Sequence, residues 1–287
     1  MHSFIKWTGS KRIQANWILS MFPRFSGRYC ELFLGSGIIL LSYLKEHPEA
    51  ECIGNDLCLP LIELWKACRD RPEELAKDYR EMWTEYNLKD SQWRKEVFAR
   101  IRNEFNEDQT RASRFLFLTR TAINGLVRFN SNGQYNSPPH FTRPGLDPSR
   151  MTKLLNECST LIRNVDSRCG SYEDVHLNEN DFCYMDPPYA MTGSSMYLGG
   201  FNNEKYYEYV EKLPCKWLMS YDGLANGNIV AELPSHLWKS HWLSSPTMSP
   251  SFNALYGADG RRRVVQESLY GSFEPEVEQE PTIDIFC

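Results

Sequence analysis

The sequence predicts an α/β fold built on a parallel sheet, split by a long and mainly helical insertion. Three observations carry this. Residues 28 to 56 read as strand, glycine turn, helix, strand. Residues 57 to 165 hold long, charged helical windows. Strand-like apolar runs then return from residue 181 onward. A strand–helix–strand unit implies parallel strands covered by helices on both faces, so the later runs are expected to complete one sheet rather than start another.

The elements follow in order. A polar turn, Phe4 to Arg12, precedes a helical pattern through Ile18, Leu19 and Phe22. Arg28 to Phe33 is a short apolar run suited to a buried strand, and it breaks at Gly35-Ser36-Gly37 into a helix over Ile38 to Glu46. Glu51 to Asp56 is the next strand, ending in an acid. Helical windows follow at Pro72 to Tyr86 and Gln92 to Phe105. Asn124-Gly125 and Asn132-Gly133 flank Leu126 to Phe129, which suggests a hairpin-like excursion. Asp181 to Met185, Lys216 to Tyr221, Trp238 to Leu243 and Val264 to Tyr270 are the returning strands. The expected organisation is therefore a discontinuous sheet domain, residues 1–56 and 166–271, a 57–165 insertion, and a 272–287 tail.

Composition narrows the class. The most apolar stretch, Ile38 to Leu44, is far shorter than the roughly 20 residues a bilayer needs. Met1 to Lys11 has no apolar signal core, and nine cysteines without a C-x-x-C pair read as reduced thiols. Both point to a cytoplasmic protein with no membrane or zinc. The net charge of −5 resides in the tail, whose five acids face no base; the remaining 32 acids balance 32 bases. Between Gln109 and Leu146 stand Arg111, Arg114, Arg120, Arg128 and Arg143 with no acid, a local +5 interleaved with aromatics and amides. Such a segment suits a polyanion such as nucleic acid.

Two motifs carry chemistry. Asp186-Pro187-Pro188-Tyr189 directly follows the apolar strand Phe182 to Met185, and ligands of open parallel sheets bind beyond the carboxyl ends of strands. Consecutive prolines stiffen the loop. An acid, a row of carbonyls and an aromatic plate suit a planar aromatic amine, whose N–H groups the oxygens accept while Tyr189 stacks on its ring. The second motif is Glu31 to Gly37, with Asp56 placed 21 residues beyond Gly35. Glycines at a strand-to-helix turn permit close approach of a ligand, and an acid near this spacing accepts from ribose hydroxyls. Gly9-Ser10-Lys11 is not a phosphate loop, because it lacks the earlier glycine and the following Ser or Thr. The six histidines form no metal-spaced cluster, and Tyr206, Tyr207 and Tyr209 fit helix packing.

FIKWTGSK at Phe4 to Lys11, CELFLGSG at Cys30 to Gly37, Asp56, NGLVRFNSNGQYNSP at Asn124 to Pro138 and FCYMDPPY at Phe182 to Tyr189 occur in that order. Together they resemble the Dam-type adenine methyltransferases of DNA, the alpha group of the D12 class, from residue 4 to about 271. The resemblance implies a Rossmann-like methyltransferase sheet with an inserted target-recognition domain, S-adenosylmethionine as methyl donor, and double-stranded DNA as substrate. It also allows a cognate restriction endonuclease as partner, in a bacterial or phage system. By it, Trp7, Lys11, Phe33, Gly35, Gly37, Asp56, Ser171, Tyr172 and Asp186 are donor-contacting positions. Asp186, Pro187, Pro188 and Tyr189 are catalytic, and Asn124, Arg128, Asn132, Asn136 and Pro138 contact DNA. Ile123 stands where related chains often carry an aromatic, leaving an apolar wedge at that point. Two other readings stay open: a methyltransferase acting on RNA or protein amides through the same acceptor loop, and a DNA-binding module that no longer catalyses.

Overall fold

Residues 2–188, 201–248 and 264–275 are described by a computed structural model. Their sheet runs in the order β3 (Val165–Cys169), β2 (Cys52–Asp56), β1 (Tyr29–Glu31), β4 (Phe182–Met185), β5 (Lys216–Ala225), β9 (Val264–Gly271), β7 (Ser240–Leu243). The first five strands are mutually parallel; β9 pairs antiparallel with both β5 and β7. Two-residue strands β6 (Asn228–Ile229) and β8 (Thr247–Met248) extend the ribbon at the β5 and β9 ends.

Side chains alternate across this sheet with the strand period of two. Tyr29, Cys52, Phe182, Tyr184 and Leu218 enter one core; Cys30, Ile53, Cys183, Met185 and Met219 enter the other. Both faces are covered, which is why the parallel strands read as nearly continuous apolar runs. One cover contains α1 (Ala15–Ser20) and α2 (Ile38–Glu46); the other contains α8 (Asn203–Glu211), whose Tyr206 and Val210 are buried. Tyr206 is thus a packing residue, and its hydroxyl donates to the Met185 sulfur at 3.1 Å.

Five helices separate β2 from β3: α3 (Leu59–Asp70), α4 (Pro72–Tyr86), α5 (Ser91–Glu107), α6 (Ala112–Thr121) and α7 (Pro148–Leu161). Helix α3 packs on β2 and β3 on one side and on α6 and α7 on the other. The apolar core therefore runs without a break from the sheet into the inserted helices. Asp90 and Asp147 cap α5 and α7 by accepting from the first backbone N–H groups.

Several sequence expectations shift. The hairpin turn lies at Asn130 to Gln134, where Asn130 N–H donates to the Gln134 carbonyl; Phe129 pairs with Tyr135. Asn124-Gly125 sits instead at the base, in a short 3₁₀ turn with left-handed φ at both residues. Strand β7 begins at Ser240, two residues later than the apolar pattern starts. Ser272 and Phe273, expected in the acidic tail, complete the sheet. The Ser272 N–H donates to the Trp217 carbonyl, and Phe273 is buried. Residues 276–287 lie outside the described residues. No described helix is long and apolar enough to cross a membrane.

Candidate active site

The chain runs outward from β1 to β2 and β3, then returns to place β4 and β5 on the opposite side of β1. This reversal makes a crevice beyond the carboxyl ends of β1 and β4, the position where open α/β sheets bind ligands. The glycine turn follows β1, Asp56 ends β2, Ser171 and Tyr172 follow β3, and Asp186 follows β4. Four separate stretches of sequence thus meet at one edge because four strands are parallel.

Long-range hydrogen bonds fix the glycine turn. The Gly35 N–H donates to Asp56 Oδ2 at 2.9 Å, and the Cys58 N–H donates to Oδ1 at 3.0 Å. Burial raises the Asp56 pKa, opposed by these backbone donors. Gly35 and Gly37 both have left-handed φ, at 48° and 55°. A Cβ on Gly35 would lie 3.2 Å from Trp7 Nε1, and one on Gly37 would overlap the Trp65 ring. Asn55, buried, donates from its amide to the carbonyls of Leu32 at 3.3 Å and Gly170 at 3.0 Å, tying the ends of β1 and β3 together. Phe33 contacts Tyr172 at 5.7 Å and Phe201 at 6.0 Å, forming a half-buried aromatic wall. The Ser171 hydroxyl accepts from the Glu173 N–H and caps the turn that carries Tyr172.

Asp186 is held from below. Lys11, only 4% exposed, places its ammonium 3.0 Å from Asp186 Oδ1 and 3.4 Å from Glu267 Oε2. Burial disfavours the ammonium, yet the two carboxylates outweigh it and the Lys11 pKa is raised. Glu267 is raised chiefly by burial. Pro187 is buried and Pro188 half-buried, while Tyr189 lies outside the described residues. Glu31, at the end of β1, is 2% exposed and accepts from the Tyr29 hydroxyl at 2.6 Å. Burial pushes its carboxyl up to about 8.

The DNA-facing candidates gather on the 123–139 excursion. Asn124 and Pro138 meet at its base, where the Ile123 N–H donates to the Pro138 carbonyl; Ile123 itself is exposed. Arg128 lies midway, its Nε donating to Asn136 Oδ1 at 2.8 Å, and Asn132 is exposed near the tip. From α5, Asn106 holds Tyr135, and just beyond that helix Gln109 holds the Gly133 carbonyl. The acid-free segment is less cationic in space than in sequence. Arg111 pairs with Asp108, Arg114 with Glu104, and Arg120 is half-buried, donating to the Ser3 and Phe4 carbonyls. Exposed charge on the excursion's side comes from Arg128 and Arg143, joined by half-buried Lys6, whose pKa is lowered by burial and then by Arg143 and Arg120. Lys6 lies against Gly125, where a Cβ would overlap it, and the next residue, Trp7, lies against Gly35. One short segment therefore joins the excursion to the glycine turn.

Sequence reasoning missed Glu31, Asn55, Phe201 and Glu267 as parts of this site. Glu31 stood inside a motif noted for its glycines. Glu267 sits in a strand, and nothing in its neighbours announces Lys11.

Residues 7–241 match the family described as D12 class N6 adenine-specific DNA methyltransferase. The chain is 27% identical over 244 residues to a type II methyltransferase, M.MjaIII, of Methanocaldococcus jannaschii, covering 76% of this chain and 83% of that one. It is 24% identical over 214 residues to the type II methyltransferase M1.LlaDCHI of Lactococcus lactis subsp. cremoris, covering 71% of each. Against the DNA adenine methylase of Escherichia coli K12 it is 29% identical over 195 residues, 66% of this chain and 65% of that one. The family draws its methyl from S-adenosylmethionine, and the crevice fits that donor. The glycine turn allows close approach, Asp56 has lone pairs to spare for hydroxyls, and the carboxylates of Asp56 and Asp186 outnumber the Lys11 ammonium beside a ligand that carries a sulfonium. With a Rossmann-like sheet, this crevice and the family's motifs over most of its length, the chain belongs to the D12 class of N6 adenine-specific DNA methyltransferases.

Proposed function

We propose that the methyl is placed on the exocyclic amine of an adenine extruded from double-stranded DNA, with Asp186 and the Pro187 carbonyl accepting hydrogen bonds from the amine's two N–H groups. The supporting observation is the position of Asp186 at the carboxyl end of β4, at the switch point of the sheet, ion-paired at 3.0 Å to a buried lysine. When bound, S-adenosylmethionine supplies an electrophilic methyl carbon on a positively charged sulfur. Adenine's amine is a weak nucleophile because its lone pair is delocalised into the ring. Two acceptors drive the nitrogen toward tetrahedral character and localise that lone pair, so they bind the transition state more tightly than the ground state. As the C–N bond formed, the donor's methyl C–S bond would break to leave a neutral thioether, and the nitrogen would lose one proton, for which Asp186 is the proposed acceptor. The amine of a paired base is out of reach, which requires eversion; Tyr189 would then stack on the base and Ile123 fill the gap in the duplex.

In this reading the 57–165 insertion is the target-recognition domain and its excursion reads sequence. Arg128 offers a fork to a guanine edge, Asn124, Asn132 and Asn136 offer amides to adenine or phosphate, and Lys6 with Arg143 supplies positive charge to the backbone. Ser171 and Tyr172, with Phe33 and Trp7, line the donor side. Two relatives named as type II methyltransferases support a role as the protecting half of a restriction–modification pair.

Asp186→Ala is expected to abolish transfer, by about 100-fold or more, while the circular dichroism spectrum and melting temperature stay near wild type. A variant with near-normal transfer to unmethylated genomic DNA would overturn the mechanism. Mapping modified bases in cells lacking adenine methylation tests the substrate directly.

A further inference from the structure

Glu267 belongs to β9, 256 positions after Lys11 and beyond the 7–241 stretch that matches the family. Three features of the fold bring it to the site. Strand β5 is bulged, because Tyr221 pairs with Ser268 and Leu224 with Gln266, so Asp222 and Gly223 both stand opposite Glu267. A bulge re-aims a side chain and increases local twist. Gly223 is required there, since a Cβ would overlap the Gln266 carbonyl. Finally, the Glu267 N–H donates to the Ser244 hydroxyl at 2.9 Å, and its carbonyl accepts from the Ser244 N–H at 2.9 Å.

A buried ammonium offers several N–H donors, and here one carboxylate lies at 3.0 Å and a second at 3.4 Å. Without Glu267, Lys11 would lean further onto Asp186 and draw away the lone pairs that an incoming amine needs. With Glu267 as a second anchor, the ammonium is shared and stays in place. Resting on the assignment of Asp186 as the amine acceptor, we propose that Glu267 is a positioning residue for methyl transfer, acting through Lys11 to hold the Asp186 carboxylate oriented and available. It touches neither the adenine nor the reacting carbon.

The test separates rate from binding. Donor affinity is measured by calorimetry with S-adenosylmethionine alone, and transfer by single-turnover methylation of unmethylated genomic DNA. Glu267→Gln is expected to lower the single-turnover rate by about 10-fold or more while donor affinity stays within about threefold and the melting temperature holds. Glu267→Asp, which keeps the charge, is expected to retain more rate than Glu267→Gln. Adding Glu267→Gln to Lys11→Met is expected to cost nothing beyond Lys11→Met alone. If Glu267→Gln does not fold, Ser244→Ala, which leaves every charge in place, is expected to give the same split with a smaller loss. A wild-type rate in Glu267→Gln, a parallel fall in rate, affinity and melting temperature, or full additivity with Lys11→Met would overturn the proposal. The two readings fail separately: an active Asp186→Ala removes the mechanism, whereas an inactive Asp186→Ala beside a fully active Glu267→Gln removes only the role of Glu267.

Discussion

The glycine turn at 33–37 and the excursion at 123–139 are both glycine-punctuated loops at the same end of the molecule, yet they are held by opposite means. The turn is tied by bonds to distant chain: Gly35 to Asp56, Asn55 to Leu32 and Gly170, with Trp7 and Trp65 pressed on its two glycines. The excursion is tied mostly to itself, through Asn130 to Gln134 and Arg128 to Asn136, with two polar tethers from Asn106 and Gln109. A surface that accepts one invariant small molecule gains from being shaped in advance. If the excursion meets DNA as proposed, it gains from polar side-chain bonds that can be exchanged for base edges at little cost.

The sharpest way to break that contrast is Gly37→Ala. The added methyl meets the Trp65 ring and the residue must hold φ at 55°, so a loss of about 2–4 kcal/mol is expected, read as a fall in melting temperature together with lost donor binding. The equivalent change at Gly133, where a Cβ meets nothing within 4 Å and only the φ of 71° is costly, should lose about 1–2 kcal/mol.

The second effect is one of pH. Unfolded, Glu31 ionises near 4.5; folded, burial holds its proton until about 8. Between those values the folded chain keeps a proton that the unfolded chain has lost, so stability is fully present below about 4.5 and declines as pH rises through about 8. Melting curves from pH 5 to pH 9 are expected to show that decline, and Glu31→Gln to flatten it. No comparable slope is expected from changes in the excursion.

The smallest effect on stability, and the most specific on function, is Arg128→Ala. It is expected to leave donor affinity and melting temperature unchanged while reducing discrimination between cognate and altered sites by about 1–3 kcal/mol. Sequencing of methylated genomic DNA from the variant checks this, and an unaltered site profile would remove Arg128 from the reading surface.

The same contrast explains what the sequence disclosed. The sheet strands and the helix after the glycine turn were legible because both faces of the sheet are buried and the runs are apolar. Strand β3 was not, since Val165 to Cys169 alternates buried and exposed residues at the sheet edge and is too short for its period to stand out. The proline loop and the glycine turn announced themselves by residue type. Their supports did not: Glu31 and Asn55 are polar residues inside strands, which only the tertiary structure marks as buried and bonded. The arginine-rich segment misled in the other direction, because Asp108 and Glu104 lie just before it in sequence and neutralise two of its charges in space. Where Asn-Gly was read as a hairpin signal, one pair belongs to the turn region and the other to the base, since both fit a left-handed residue equally well.

Lys6 and Trp7 are consecutive, one resting on the base of the excursion and the other on the glycine turn. If the excursion reads the target as proposed, a hairpin grafted from an enzyme with a different target would arrive on a foreign footing unless position 6 travelled with it. Chimeras that exchange 123–139 alone should be poorer catalysts than those that also exchange the amino-terminal strip, so retargeting this scaffold is a two-segment problem.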